Sequence, residues 1–289
     1  MASVRDKILA IAAAAALSLS FGASQSSAAS LDDIKAKGSM VVATEDSYKP
    51  FEYVENGKPM GLDQDLLALL RKEAPFKIDQ QIIPWTGLLA GVATGKYDVA
   101  LTAAVITPDR IQSLSFTMPI AEATQYYVVR ADETRIKGVP DLAGKTVGVQ
   151  SGGASYAALA DLEPTLAKTG GKLGKVVQYT SLPEAYQDLA NGRLDYVING
   201  VVNLVSLTKD QPKRFRMGEA VGAPTYAAWA VAKGNDGSWP TSTSSWRRCA
   251  QAESSTLCRR SGSAGPSRTC RPHRPSSLGA RGDRPGRGE

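Results

Sequence analysis

Residues 84–101, PWTGLLAGVATGKYDVAL, and residues 181–198, SLPEAYQDLANGRLDYVI, follow one plan: a helix-length run, a glycine, a basic residue, one variable position, an aspartate and an apolar strand. Gly95 and Gly192 stand where a helix ends by turning left-handed. The first helix is expected from about Thr86, and the Ser181-to-Glu184 spacing predicts a capping box that starts the second. Each unit follows a strand that runs into a polar loop, GSMVVATE at 38–45 and GKTVGVQSGG at 144–153. Strands alternating with helices of this length predict parallel sheets covered on both faces, and two such units predict an α/β protein of two lobes. Ligands of such sheets sit at the carboxyl ends of the strands. That rule nominates the loops at Glu45–Tyr48, Thr102–Arg110, Gln150–Gly153 and Asn199–Val201 as the walls of a cleft between the lobes. EATQYYVVRAD (122–132) and TYAAWAVAKG (225–234) are extended, aromatic and β-branched, and read as crossover strands that form a hinge.

LTAAVITPDR (101–110) opens as a buried strand and turns abruptly polar at Thr107. Thr107 suits a helix N-cap, Pro108 the first helical position, and Asp109 the positive end of the helix dipole. Arg110 opposes that dipole by a few tenths of a kcal/mol, which points to an anion held between the guanidinium and the helix terminus.

The first residues carry Arg5 and Lys7, then an apolar run from Ile8 to Phe21, then small residues up to Ala28 and Ala29, the pattern of a cleavable secretory signal peptide. Nothing later approaches the ~20 consecutive apolar residues of a membrane span. The chain of 289 residues has a net charge of +6, but residues 238–289 hold ten arginines against Glu253, Asp283 and Glu289, a balance of +7 that leaves −1 for the rest. The same tail contains Cys249, Cys258, Cys270 and the single histidine, His273. Its Arg, Ser, Pro and Gly cannot build a core, and its abrupt change of composition reads as a shifted reading frame beginning near Gly237. A nucleic-acid-binding role would rest on this tail alone, so no nucleic-acid partner is expected. Before the tail there is no histidine or cysteine, no metal-ligand cluster, no nucleophile elbow and no phosphate-binding loop, so neither a cofactor nor a metal is expected. The expected organisation is a signal peptide (1–29), lobe 1 (30–123), lobe 2 (124–223), a return crossover to lobe 1 (224–237) and a disordered tail (238–289).

VVATEDSYKPFEYVENGKPMGLDQDLLALL (41–70), PWTGLLAGVATGKYDVALTAAVITPDR (84–110) and PDLAGKTVGVQSG (140–152) together resemble the bacterial periplasmic solute-binding proteins of family 3, which serve ABC importers of polar amino acids. The resemblance spans roughly residues 31–233. It implies a type II periplasmic-binding-protein fold, two α/β lobes joined by two crossover strands, that closes on a small carboxylate and docks, as a monomer, on an inner-membrane permease. It also implies that Arg110 forks onto the ligand carboxylate, a geometry suited to a planar guanidinium. Tyr48 and Trp85 match the aromatic pair that sandwiches the ligand, and Glu45 the acid near its cationic end. Thr102 and Ala103 match a stretch that offers backbone groups, and Ser151, Gly152 and Gly153 the loop that receives the carboxylate from the other lobe.

Three positions depart from the family pattern. Val105 stands where a hydroxyl is usual, Gly153 where threonine is common, and Gly200, beside Asn199, where an aspartate usually meets the ligand ammonium. Either Glu45 or Asp46 therefore takes over that role, or the ligand has no free ammonium, because an unpaired buried ammonium would cost several kcal/mol. A second reading is a periplasmic enzyme like cyclohexadienyl dehydratase, which shares the fold. A lysine or a second carboxylate near Arg110 would favour it.

Overall fold

The computed structural model describes residues 29–234. The expected signal peptide and the Arg-rich tail with its three cysteines lie outside the described residues. Two mixed sheets carry the fold. The first comprises β1 (Ser39–Glu45), β5 (Lys77–Ile83), β6 (Val99–Val105), β7 (Leu114–Phe116), β8 (Ala121–Glu122) and β14 (Tyr226–Ala232), in the order β5-β1-β6-β14-β7 with β8 also on β14. The second comprises β9 (Gln125–Arg130), β10 (Val147–Gln150), β11 (Val176–Tyr179), β12 (Tyr196–Gly200) and β13 (Phe215–Ala220), in the order β11-β10-β12-β9-β13. A small antiparallel sheet of β2 (Ser47–Tyr48), β3 (Glu52–Glu55) and β4 (Lys58–Met60) follows β1.

Neither large sheet is wholly parallel, contrary to the sequence expectation. β5, β1 and β6 run parallel, as do β11, β10 and β12, but β14 lies antiparallel to β6 and β9 antiparallel to β12. The reason is connectivity: a strand that arrives from the other lobe has no helical crossover to reverse its direction. The two segments read as hinge strands are thus mostly sheet strands. The links between the sheets are short pieces around Ala123–Thr124 and Val221–Thr225, and they bond to each other, Ala123 N to Thr225 O at 2.8 Å and Thr225 N to the Thr124 hydroxyl at 3.3 Å.

The repeat seen in the sequence has a physical basis. Gly95 and Gly192 have φ of +77° and +76°, values that suit glycine. Three residues further on, Asp98 takes the Val41 amide at 2.7 Å while its own amide donates to Val41 O at 2.9 Å; Asp195 does the same with Thr146, at 2.9 Å both ways. Each aspartate clasps the neighbouring strand and fixes the register of its lobe. Two details of the paired helices differ from expectation. The first helix, α3 (Leu88–Ala93), begins after a turn at Trp85–Gly87, and the Ser181 side chain makes no cap bond at the start of α7 (Leu182–Ala190).

The other helices are α1 (Leu31–Lys37), α2 (Leu62–Glu73), α4 (Arg110–Ser113), α5 (Ala154–Ala157), α6 (Leu159–Ala167) and α8 (Val201–Asp210), with a 3-10 turn at Val139–Leu142. Lobe 1 buries Met40, Leu67, Leu101 and Trp229 in one cluster, and lobe 2 buries Tyr127, Leu162 and Tyr196 in another. A further cluster joins the lobes: Tyr48, Phe51, Ala103 and Val105 from lobe 1 meet Leu182 from lobe 2. Among the described residues no helix is long and apolar enough to cross a membrane, and no group of His, Cys, Asp and Glu could hold a metal ion.

Candidate functional site

Above the inter-lobe cluster lies a cleft of about 310 Å3, its open mouth included. β6 supplies Ala103, Ala104 and Val105 to its wall, and the turn before α3 supplies Trp85. Three consecutive residues of β6 thus meet the cleft, more than one face of an alternating strand supplies. Thr102 points elsewhere, its hydroxyl donating to Glu52 inside lobe 1, so this nominated residue does not line the cavity.

Arg110 opens α4 with Asp109, not the expected Thr107, in the N-cap position, so the helix starts two residues later than the sequence suggests; the Arg110 amide still donates to the Thr107 hydroxyl at 3.3 Å. The guanidinium reaches back into the cleft. Nη1 donates to Val105 O at 2.8 Å, Nη2 donates across the lobes to Gly152 O at 3.2 Å, and Cζ sits 5.0 Å from the Trp85 ring centroid. No carboxylate pairs with Arg110 among the described residues, and burial pushes it down to about 10. It remains cationic at any physiological pH.

In the same cleft, Glu45 at the end of β1 is buried, and Oε1 accepts from Gln150 Nε2 of lobe 2 at 2.9 Å. Burial raises its carboxyl to about 7, against the opposing pull of the Gln150 bond. Tyr48 is buried and stacks on Phe51 at 5.7 Å. Asn199 is engaged within lobe 2: Nδ2 donates to the Tyr186 hydroxyl at 2.8 Å and Oδ1 accepts from Gly200 N at 2.8 Å.

Of the nominated residues, Glu45, Tyr48, Trp85, Ala103, Val105, Arg110, Gly153 and Asn199 line the cavity; Ser151, Gly152 and Gly200 do not, although they adjoin lining residues in the chain. Asp46, offered as an alternative partner for an ammonium, is exposed and does not line it. Ala104 and Gln150, which fall within the nominated loops but were not singled out, also line the cavity, as do Gln125, Ala154 and Ser155, which lie outside every nominated loop. Gln125 matters most among these. It is buried, Nε2 donates to Ala123 O at 2.8 Å, and Oε1 receives no donor. A polar residue opening the otherwise apolar strand QYYVV was the available signal.

Two α/β lobes with a polar, aromatic-lined cleft at their strand ends define a small-molecule-binding protein of the two-lobed type. Residues 40–248 match the family of bacterial extracellular solute-binding proteins, family 3, and the chain belongs to it. It is 32% identical over 202 residues to the probable amino-acid-binding protein YxeM of Bacillus subtilis, a match covering 70% of this chain and 72% of that protein. The arginine-, lysine-, histidine-binding protein ArtJ of Geobacillus stearothermophilus superposes with a TM-score of 0.66 at 27% identity, covering 77% of this chain and 94% of that one. An ancestral amino acid-binding protein, a precursor of cyclohexadienyl dehydratase, superposes with a TM-score of 0.65 at 25% identity over 80% and 96% of the two chains.

Proposed function

We propose that this protein is the periplasmic receptor of an ABC importer, that it captures an amino acid between its lobes, and that its liganded form docks on an inner-membrane permease. The observation that carries the reading is Arg110, a half-buried guanidinium stacked on Trp85, facing the cleft with no carboxylate partner. The ligand carboxylate supplies that partner. Glu45 and the donor-free Gln125 Oε1 receive the ligand's nitrogen, taking the place of an acid at Gly200. With Glu45 ionised the cleft carries one charge of each sign, which matches a zwitterion. Both ArtJ and YxeM are named for amino-acid ligands, which supports this class.

Arg110→Ala should weaken amino-acid binding by roughly 2 to 5 kcal/mol, since it removes a charge-assisted bidentate contact and leaves the carboxylate partly desolvated. Titration calorimetry with arginine, lysine, histidine and glutamine checks it; an affinity held within about threefold, less than 1 kcal/mol, would sink the assignment. The enzymatic reading draws on Glu45, because a carboxyl near pH 7 sharing a cleft with an arginine suits acid–base chemistry. Against it, among the described residues Glu45 is the one acid lining the cleft and no lysine lines it. Turnover of a cyclic carboxylate that disappears in Glu45→Gln would reverse the preference.

A further inference from the structure

Gly200 ends β12 with φ −60° and ψ 144°, a conformation open to any residue, so the backbone does not call for glycine. Space does. A β-carbon at 200 would lie 2.9 Å from Asn203 Oδ1 and 3.7 Å from the Tyr48 hydroxyl oxygen. Asn203, on the first turn of α8 in lobe 2, is 4% exposed, and its Nδ2 donates to Lys49 O at 2.9 Å. Lys49 belongs to the lobe 1 loop that presents Tyr48. Its ammonium in turn lies 3.1 Å from Asp210, the last residue of α8. One lobe 2 helix thus holds a single lobe 1 residue from both of its ends. The two contacts are unequal: the Lys49–Asp210 pair is about half exposed and worth little, whereas the Asn203 bond is part-buried and comes from a buried side chain.

We propose that Asn203 is a positioning residue for ligand capture: seated in the space that glycine leaves at 200, it ties α8 to Lys49 across the cleft and sets how much of the unliganded protein is already closed. When only the closed form binds tightly, apparent affinity scales with its population. Asn203 therefore tunes affinity for every ligand by one common factor without touching any of them. A side chain added at 200 must first displace Asn203, so a carboxylate introduced there gains an ammonium partner only while loosening this tie.

Hydrogen exchange on the full chain without ligand tests the idea independently of what the cleft binds. Asn203→Ala and the nearly isosteric Asn203→Asp, which has no N–H to donate, should each speed amide exchange about fivefold in the 48–54 and 150–153 loops, with β10 and β12 unchanged. Asp210→Ala should change it less than twofold. Gly200→Ala should reproduce the Asn203→Ala effect and add nothing to it in the double variant. In calorimetric titrations with arginine and glutamine, the two Asn203 variants should weaken both ligands by the same factor. Loop exchange within twofold of the parent in both Asn203 variants, equal acceleration in the core of lobe 2, or a changed ratio of the two affinities would each overturn the proposal.

Discussion

In lobe 2, Glu133 is gripped by arginines, whereas in lobe 1 Glu45, Glu52 and Asp63 are buried with no arginine or lysine paired to them among the described residues. Surface exposure does not separate the two cases, since Glu133 is 7% exposed and Glu45 3%, although Glu45 lies deeper in the protein. Partners do. Arg135 donates to Glu133 from Nε and Nη2, Arg130 adds a contact at 3.1 Å, and together they hold this carboxyl down at about 2, the Arg135 bond contributing most. Glu45 has one neutral donor and is driven up to about 7 by burial. The cluster of lobe 2 sits at the far end of β9 from Gln125 and is complete in itself. The unmet charges, Glu45 and Arg110, lie in the cleft. Charge satisfied within the chain holds a lobe together, while charge left unmatched beside a cavity is available to a ligand.

Among acid-to-amide substitutions, the largest effect on stability should come from removing the self-contained cluster's anion. Glu133→Gln leaves Arg130 and Arg135 without their shared carboxylate. Loss of one partner from a buried pair typically costs ~3–5 kcal/mol, and because the Arg135 side chain is 55% exposed the expected loss is lower, about 2 to 3 kcal/mol. The lowered carboxyl also fixes a sign. Its stabilisation is present above the ordinary value of 4.5 and is lost as pH falls toward about 2. Denaturant unfolding of parent and variant at neutral pH and in acid measures both effects. Ligand affinity should stay unchanged; a loss below 1 kcal/mol, or a weakened ligand, would break the contrast between the lobes.

Glu45 should respond in the opposite sense. With its value raised to about 7, folding of the unliganded protein loses stability as pH rises from 4.5 to 7 and levels off above. Binding a ligand ammonium requires the ionised form, so affinity should climb about tenfold from pH 6 to pH 8, with a proton released on binding, as expected for one group titrating near 7. Calorimetry in buffers of different ionisation enthalpy counts that proton. A flat profile in the parent would remove Glu45 from the ligand's cationic end, and Glu45→Gln should flatten the profile if Glu45 is responsible.

The legible parts of this molecule are those whose cause is local. Gly95 and Gly192 with their following aspartates, and Thr107 before Arg110, each act within a few residues or on the adjacent strand, and the pattern of residues announces them. The start of α3 was misplaced because the turn at Trp85–Gly87 depends on a left-handed Gly87 that the helical spacing of the run hides. The roles of Gln150, which was placed only as the start of a cleft loop, and of Gln125, which was not placed there at all, were hidden for a different reason. Gln150 acquires its role from Glu45, 105 positions away on the other lobe, and Gln125 from the crossover it begins. Thr102 was nominated because its stretch resembles a binding segment, although its hydroxyl serves Glu52 inside lobe 1, a partner that the stretch itself does not show.

The smallest expected effect concerns the other buried acids of lobe 1. Among the described residues neither Glu52 Oε2 nor Asp63 Oδ2 meets a hydrogen-bond partner, and the two neighbouring buried carboxyls point to one shared proton. Burial pushes both carboxyls upward and the neighbouring Asp63 raises Glu52 further, so Glu52 is the one expected to hold a proton, while Asp63 accepts from Trp229 Nε1 at 2.7 Å. Glu52→Gln then substitutes an amide N–H for the acid O–H and retains an oxygen for the Thr102 hydroxyl. Its cost at neutral pH should be below 1 kcal/mol, the range of a near-isosteric exchange that keeps its hydrogen bonds. Glu52→Ala, which strips Asp63 of its donor and opens a void, should cost about 2 to 4 kcal/mol. The raised carboxyl of the parent also loses stability as pH rises above 4.5, and the glutamine variant should lack that loss, gaining on the parent toward alkaline pH. Denaturant midpoints for the three proteins between pH 5 and pH 9 decide it. If glutamine proves as damaging as alanine, Glu52 is an anion after all, and lobe 1 holds its acids apart by some means other than a shared proton.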